Sequence, residues 1–451
     1  MTDVRAALRR VDLARRLRGV LRVLGRRVLP GVRLLPRLLV GRQLRRVGRS
    51  PTGPPRTTTD TLVLSLRGGW VAHTALEHAL GLGLARRGER VRLVACRRMP
   101  IECGFYNHWY GARRPCTVCA IASRVLEKAA GLPATALADE ARPGDYAHAE
   151  RLTRGLTLEA CRGFAWDGLP LGRWVEPSVL WFFNRGSLSD AHLPYYRKAL
   201  RGAVPFANAV RSLLRRHSAR TRVLLVNGIF WPERVVLEVA RSLGLSDVVM
   251  YERGFQPGTW VFSRGQAPGY YDLKPLWPVL RERRLTATEA RELGEYLRSR
   301  ESFSRDAVSY AQRWASDSDE LAALIRRVHE RPVIVAFANI VWDSAAVGRD
   351  LGFPGLLGWV RSLARYAASH PQHFVVLRGH PAEVALEGSE TTETVGDFLQ
   401  EAVQETPENF VYIHPGSAVH SYRLMDVASV GVVYSSTAGL EMVLRGRPVV
   451  V

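Results

Sequence analysis

Between Val430 and Val451 the chain reads Val-Gly-Val-Val-Tyr-Ser-Ser-Thr-Ala-Gly-Leu-Glu-Met-Val-Leu-Arg-Gly-Arg-Pro-Val-Val-Val. That order predicts a buried strand over Val430–Tyr434, a hydroxyl-bearing turn at Ser435, Ser436 and Thr437, a short amphipathic helix closed by Gly446 and Pro448, and a second buried strand from Val449. A strand that runs into a Ser/Thr turn and then a helix is how an open α/β sheet presents backbone N–H groups and hydroxyls to a phosphate. No helix follows Val449–Val451, so the expectation is a second domain cut short at its C-terminus.

The same grammar recurs upstream. Leu62–Leu66 leads through Arg67-Gly68-Gly69-Trp70 and His73 into a helix over about 75–86, and Val91–Ala95 is the next strand. The paired glycines let a ligand or a neighbouring element approach the backbone closely. His73, in or near the first turn of that helix, either packs and caps or serves as a catalytic base. Arg222–Val226 delivers Asn227-Gly228, a helix follows from Trp231 to about Leu243, and Val248–Tyr251 delivers Glu252-Arg253-Gly254. Strand C-terminal ends are where open α/β sheets hold ligands. Glu252 is therefore either a general base or half of a local ion pair with Arg253. Thr286 with Glu289 forms a capping box opening a long helix, and helices to about Glu330 are expected to bridge two domains. Beyond Arg331, strands Val333–Ala338, Phe374–Leu377 and Val411–Ile413 end at Asn339 and Trp342-Asp343-Ser344, at Arg378-Gly379-His380-Pro381-Ala382-Glu383, and at His414-Pro415. Four strand ends would thus align Asn339, Asp343, Arg378, His380, His414 and Ser435/Ser436 along one edge, supplying cations and N–H donors for phosphate and carboxylates and hydroxyls for a sugar.

Charge is informative only through its placement. Of a formal net charge of +22, residues 1–60 carry +13 through sixteen arginines and three acids, which leaves a modest excess elsewhere. From Asp12 to Val28, Leu13, Leu17, Val20, Leu21, Leu24 and Val28 share one helical face, and Arg15, Arg16, Arg18, Arg22, Arg26 and Arg27 the other. Two readings stay open: a basic amphipathic helix (residues 12–29) lying on an anionic membrane surface, and an Arg-rich leader without structure. No apolar run reaches spanning length, and no recognition motif accompanies the arginines, so neither a membrane span nor a nucleic-acid partner is expected. Residues 50–60, rich in Pro and Thr, read as a linker.

Cys96, Cys103, Cys116 and Cys119 crowd into 24 residues, the last two as a C-x-x-C pair, among Tyr106, His108, Trp109 and Tyr110. Here too two readings stay open: a four-thiolate structural site for zinc or an iron–sulfur cluster, and four reduced, partly buried thiols.

Taken together, Trp342-Asp-Ser, Arg378-x-His-Pro-x-Glu383, Tyr434-Ser-Ser-Thr-x-Gly-x-Glu441 with Gly446-x-Pro448, Asn227-Gly and Tyr251-Glu-x-Gly254 resemble bacterial capsule and surface polysaccharide biosynthesis proteins. Those are glycosyltransferases of the GT-B type, with two Rossmann-like doubly wound domains facing a cleft. The resemblance spans most of Thr61–Val451. It implies a tail over 1–60, an acceptor domain over 61–285, a bridge over 286–330 and a donor domain over 331–451. It implies a nucleotide-sugar donor whose phosphates meet His380, Ser435, Ser436 and Thr437 and whose ribose meets Glu441, with Asn339, Asp343, Arg378 and His414 beside them. Glu252, His73 or His380 would act in catalysis, Arg67, Gly68, Gly69 and Asn227 would face a glycan or lipid-linked acceptor, and no catalytic metal would be obligatory. The implied place is the cytoplasm, peripherally at the inner face of the membrane. The missing C-terminal helices and the cysteine cluster depart from the family pattern. A nucleotide-sugar epimerase of the same architecture and a non-catalytic polysaccharide export-associated protein are the alternatives.

Overall fold

The computed structural model describes residues 60–99, 101–103, 115–256, 258–302, 319–328, 330–344, 346, 350–385, 390–403 and 405–451. The Arg-rich segment 12–29, the linker up to residue 59, and Tyr106, His108, Trp109 and Tyr110 lie outside the described residues.

Short apolar strands buried on both faces need helices on both sides, and the chain forms two such sheets. In the first, β1 (Asp60–Ser65), β2 (Arg90–Ala95), β3 (Ala134–Ala136), β4 (Arg222–Val226), β5 (Val248–Arg253) and β6 (Trp260–Arg264) lie in the order β3-β2-β1-β4-β5-β6. All neighbours are parallel except β5 and β6, where Arg253 stands opposite Trp260. The second sheet comprises β7 (Val333–Phe337), β8 (Phe374–Arg378), β9 (Phe410–Ile413), β10 (Val430–Val433) and β11 (Val449–Val450), wholly parallel in the order β11-β10-β7-β8-β9. Each order runs outward from its first strand in both directions, which makes both sheets Rossmann-like and doubly wound. The points of reversal fall between β1 and β4 and between β7 and β10.

Residue pattern explains the layers. Leu62 and Leu64 of β1 face one way into a core closed by the helices Leu171–Phe183, Leu193–Arg215 and Trp231–Ser242. Val63 and Leu93 face the other way, under the helices Val71–Arg86 and Pro115–Ala130. In the second unit, Leu356, Trp359, Val360, Leu363, Ala364 and Ala367 recur at helical spacing and press the helix Gly355–Ser369 onto Val375 and Leu377. Leu321 and Leu324 of the helix Asp319–Val328 pack on the opposite face with Phe374 and Val376.

The two units meet along a polar clasp. The Glu393 carboxylate accepts from the backbone N–H groups of Gly186 and Ser187 at 3.0 and 2.7 Å and from the Ser187 hydroxyl at 2.6 Å, and it pairs with Arg185. Asn184 reaches the Glu390 carbonyl at 3.2 Å, and its own carbonyl accepts the Thr392 N–H at 2.8 Å. Gly186 allows a close approach there, since a Cβ would stand 3.0 Å from Cβ of Val341. Beside the clasp, Trp181 of the first unit packs into the second core, its ring 6.5 Å from that of Trp70.

Candidate functional site

The clasp brings the C-terminal edges of both sheets toward one cleft. On the first sheet, Asn227 ends β4 in a left-handed turn (φ 30°, followed by Gly228 at 71°), which aims its side chain at the end of β5. Its Nδ2 donates to Oε2 of Glu252 at 3.2 Å, and its Oδ1 accepts the Ile229 N–H at 2.8 Å. The other Glu252 oxygen accepts the Arg253 N–H at 2.8 Å. Burial raises the proton affinity of this half-buried carboxyl; the bonds from Arg253 and Asn227 oppose the rise, and the charge of Asp343, across the cleft on the second unit, adds to it. A positioned carboxyl with raised proton affinity is a candidate for proton transfer. Asn227 and the Arg253 N–H orient Glu252, and the Arg253 charge favours its ionised form.

His73 sits in an aromatic box, with ring centroids of Trp70, Tyr251 and Trp260 at 5.3, 5.8 and 5.5 Å. Burial brings its pKa down to about 3, with Arg253 and Arg67 pushing the same way, and its buried Nδ1 has no hydrogen-bond partner among the described residues. The ring is neutral at physiological pH and a weak base, which disfavours the expected catalytic role. Tyr251 donates its hydroxyl to Glu77 at 2.8 Å, and burial pushes that carboxyl up to about 8. Neither the box nor Glu77 was legible beforehand; the available signal was the pair Tyr251 and Trp260 on strands flanking a polar strand end.

Arg67 departs from its expected acceptor-side role. It lies buried against Glu233, Nε to Oε1 at 2.7 Å and Nη2 to Oε2 at 2.6 Å, with its guanidinium 4.5 Å from the Trp70 ring. Its work is to hold the loop that carries Gly68 and Gly69. Gly68 is likewise architectural, because a Cβ there would lie 2.6 Å from the Cys119 carbonyl and 2.8 Å from Cβ of Ser123.

On the second sheet, the reversal between β7 and β10 is bridged by a hydrogen bond from the Ser435 N–H to Oδ1 of Asn339 at 3.3 Å. Ser436 follows with its hydroxyl accepting the Ala438 N–H at 3.2 Å, and Thr437 is exposed, its hydroxyl not capping the helix Ala438–Leu444. Asp343 accepts from the Ser344 hydroxyl at 3.2 Å in the loop after β7. His380 is half-buried, accepts the Ala382 N–H on Nδ1 at 3.1 Å, and burial followed by Arg378 lowers its pKa to about 4, so it offers a neutral ring. His414 is exposed at the end of β9, with Nδ1 fixed by the Gly416 N–H at 3.0 Å.

Two donor-site expectations change. Arg378 is buried and turned along the sheet edge, donating to the carbonyls of Ile413, His414 and Val419; burial brings its pKa down to about 10. It braces the β9 turn and does not meet an incoming phosphate. Glu441 accepts from Arg300 at 2.9 Å on one oxygen and from the Tyr422 hydroxyl at 2.6 Å on the other, so it ties helices together instead of facing a ribose.

The cysteines also differ from the metal reading. Cys96, beyond β2, packs against the core, and burial pushes its thiol up to about 12. Cys119 lies in the helix Pro115–Ala130 with its sulfur toward the N–H groups of Gly69 and Gly68. Among the described residues, which include all four thiols, no three His, Cys, Asp or Glu side chains gather around a common point. A tetrathiolate site for zinc or an iron–sulfur cluster does not fit these positions. Among the described residues, too, no helix is long and apolar enough to cross a membrane.

No protein-family model and no curated protein matches the chain. Among solved structures it is similar to UDP-GlcNAc 2-epimerase from Neisseria meningitidis bound to UDP-GlcNAc, with 12% identity over 87% of this chain and 81% of that chain and a TM-score of 0.21. At that score the two backbones do not superpose as wholes, and the strand orders themselves define the fold.

Proposed function

We propose that the protein is a glycosyltransferase that moves a sugar from a nucleotide-activated donor to a surface or capsular glycan, with 61–285 as acceptor unit, 286–330 as bridge and 331–451 as donor unit. The observation that supports this most is the facing of two strand C-terminal edges: on one, Asn227, at the β1–β4 reversal, orients Glu252 of the neighbouring β5; on the other, the Asn339–Ser435 lip lies at the β7–β10 reversal. Reversal points at strand C-terminal ends are where doubly wound sheets bind nucleotides. In this reading the donor's phosphates lie at Ser435, Ser436, Thr437 and His380, with Asn339, Asp343 and His414 around them. An acceptor hydroxyl gives its proton to Glu252 while its oxygen bonds to the anomeric carbon, and the bond from that carbon to the nucleotide's phosphate oxygen breaks. N–H and hydroxyl groups at the lip take up the charge of the departing nucleotide. The acceptor, a glycan or lipid-linked glycan, enters past Gly69 and the His73 box, and the enzyme works from the cytoplasm at the inner membrane face.

One observation favours a second reading, a nucleotide-sugar epimerase. Glu252 and Asp343 approach from opposite units closely enough for their charges to interact, and two carboxyls on two sides of a sugar suit proton exchange without an acceptor. Incubation with nucleotide sugars, with and without glycan acceptor, separates the two. Release of nucleotide that depends on acceptor supports transfer; conversion of the sugar nucleotide to an isomer without acceptor supports epimerisation and refutes transfer.

A further inference from the structure

The chain leaves the cleft edge at Tyr271 in a way that commits it outward. Tyr271 takes left-handed backbone angles (φ 46°, ψ 44°), rare for a bulky side chain, and is held there by stacking on Phe255 at 4.7 Å and by its hydroxyl donating to the Arg253 carbonyl at 3.3 Å. That ties the root of the following segment to Arg253, the residue after Glu252. Residues 273–283 then form a closed helical turn, with the Trp277 N–H bonded to the Leu273 carbonyl at 2.8 Å, that of Leu280 to Leu276 at 3.0 Å, and that of Arg281 to Trp277 at 2.9 Å. Within it, the helix Trp277–Leu280 buries no residue.

Order without a core behind it is unusual, and the composition of this segment makes it more so. Leu273, Leu276, Trp277 and Leu280 fall at i, i+3, i+4 and i+7, one helical stripe, and all are exposed; Val279 is 72% and Trp277 57% accessible. Phe255 and Leu285 are exposed as well. An exposed apolar stripe of this kind marks an interaction site. The residues around it select the partner. Lys274, Arg281, Arg283 and Arg284 flank the stripe; Arg281 pairs with Glu282 and Arg283 with Glu289, while Arg284 has no ion pair among the described residues. The chain as a whole carries +22. A short stripe of Leu and Trp rimmed by cations is matched to the headgroup region of an anionic bilayer, where the indole sits at the interface and the cations meet lipid phosphates.

We propose that residues 273–285 are an interfacial anchor that docks this protein on an anionic lipid surface, with the cleft edge at Glu252 turned toward the membrane. The inference stands apart from the glycosyltransferase reading, since lipid binding is read without any sugar nucleotide. The test is co-sedimentation of the full-length chain with phosphatidylcholine vesicles made with and without phosphatidylglycerol. Wild type is expected to bind the anionic vesicles in a salt-sensitive way, and Leu276→Ser with Trp277→Ser to lower the partition coefficient about tenfold or more, with an unchanged melting curve because both side chains are already in water. A companion variant, Leu17→Asp with Leu21→Asp, disrupts the Arg-rich tail. If the tail variant abolishes binding and the 276/277 variant leaves it intact, the anchor is the tail and the proposal fails. It fails equally if wild type ignores anionic vesicles, or self-associates through a surface that the 276/277 variant removes, which would make the stripe a protein contact.

Discussion

Replacing Glu233 by Ala tests how the cleft edge of the first sheet is held. Arg67 and Glu233 are joined by two parallel hydrogen bonds of 2.7 and 2.6 Å, and their side chains are only 5% and 1% exposed. Removing the carboxylate leaves a guanidinium in the interior with the Trp70 ring 4.5 Å and the Phe230 ring 6.0 Å away as substitute partners. Breaking one side of a buried pair costs about 3–5 kcal/mol, whereas replacing both partners with apolar groups of similar volume is often close to neutral. Glu233→Ala should therefore lose about 3–5 kcal/mol, and Arg67→Met with Glu233→Leu should recover most of it. Asp60→Ala provides the scale for a solvated pair: Arg90 and Asp60 are 54% and 35% exposed, and its loss should stay within about 1 kcal/mol. The assay is urea denaturation followed by fluorescence and circular dichroism together, fitted to more than one step because the chain has two cores. A Glu233→Ala cost no larger than that of Asp60→Ala, or a double variant as damaged as the single one, would refute the reasoning.

Glu252→Gln can keep only one of the two N–H bonds that the carboxylate accepts, from Asn227 or from Arg253, and it removes the base, so turnover should fall about 10²- to 10⁴-fold with nucleotide binding unchanged, read by steady-state kinetics beside calorimetry. Gly68→Ala drives a methyl against the Cys119 carbonyl and should cost about 1–3 kcal/mol of stability in the same urea assay. Burial pushes Glu77 up to about 8 from an ordinary 4.5. Its contribution to stability is thus fully present below about pH 4.5 and is lost as pH rises through about 8. Glu77→Gln should flatten that decline in denaturation midpoints collected across the window; an unaltered slope would count against the buried neutral carboxyl.

The strands were legible because each is a short apolar run ending at a polar or glycine residue. The run Arg222–Val226 coincides with β4, and the Thr286/Glu289 capping box is formed, with the Glu289 N–H on the Thr286 hydroxyl at 3.2 Å. The helical layer between β3 and β4 was not legible. Pro177 and Pro205 sit inside the helices Leu171–Phe183 and Leu193–Arg215, where the packing around Val175, Val179, Val204 and Phe206 outweighs the local cost of a proline. At the site, the sequence located the strand ends but not the direction of their side chains. From sequence Arg67 is expected to face the acceptor and Arg378 the donor; one is taken up by a glutamate 166 residues away and the other by backbone carbonyls 35 to 41 residues away. Glu441 is claimed by Arg300, 141 residues upstream. Such partners come together only through tertiary packing, and no local spacing announces them. The converse holds for Asn227 and Glu252: their strands are neighbours in the sheet, so their proximity follows from strand order alone.

The central claim is that the reversal between β7 and β10 binds a nucleotide. It is tested most directly by the melting temperature of the full-length chain with CMP, CDP, UDP, GDP or ADP, in wild type and in Ser436→Ala. Ligand at about a hundred times its dissociation constant adds about 2.7 kcal/mol to the folded state, a rise of roughly 5–10 °C for a domain of this size. The account predicts such a rise for one nucleotide base over the others, reduced in Ser436→Ala. An unchanged melting temperature with every nucleotide, or a rise that Ser436→Ala leaves untouched, would contradict it.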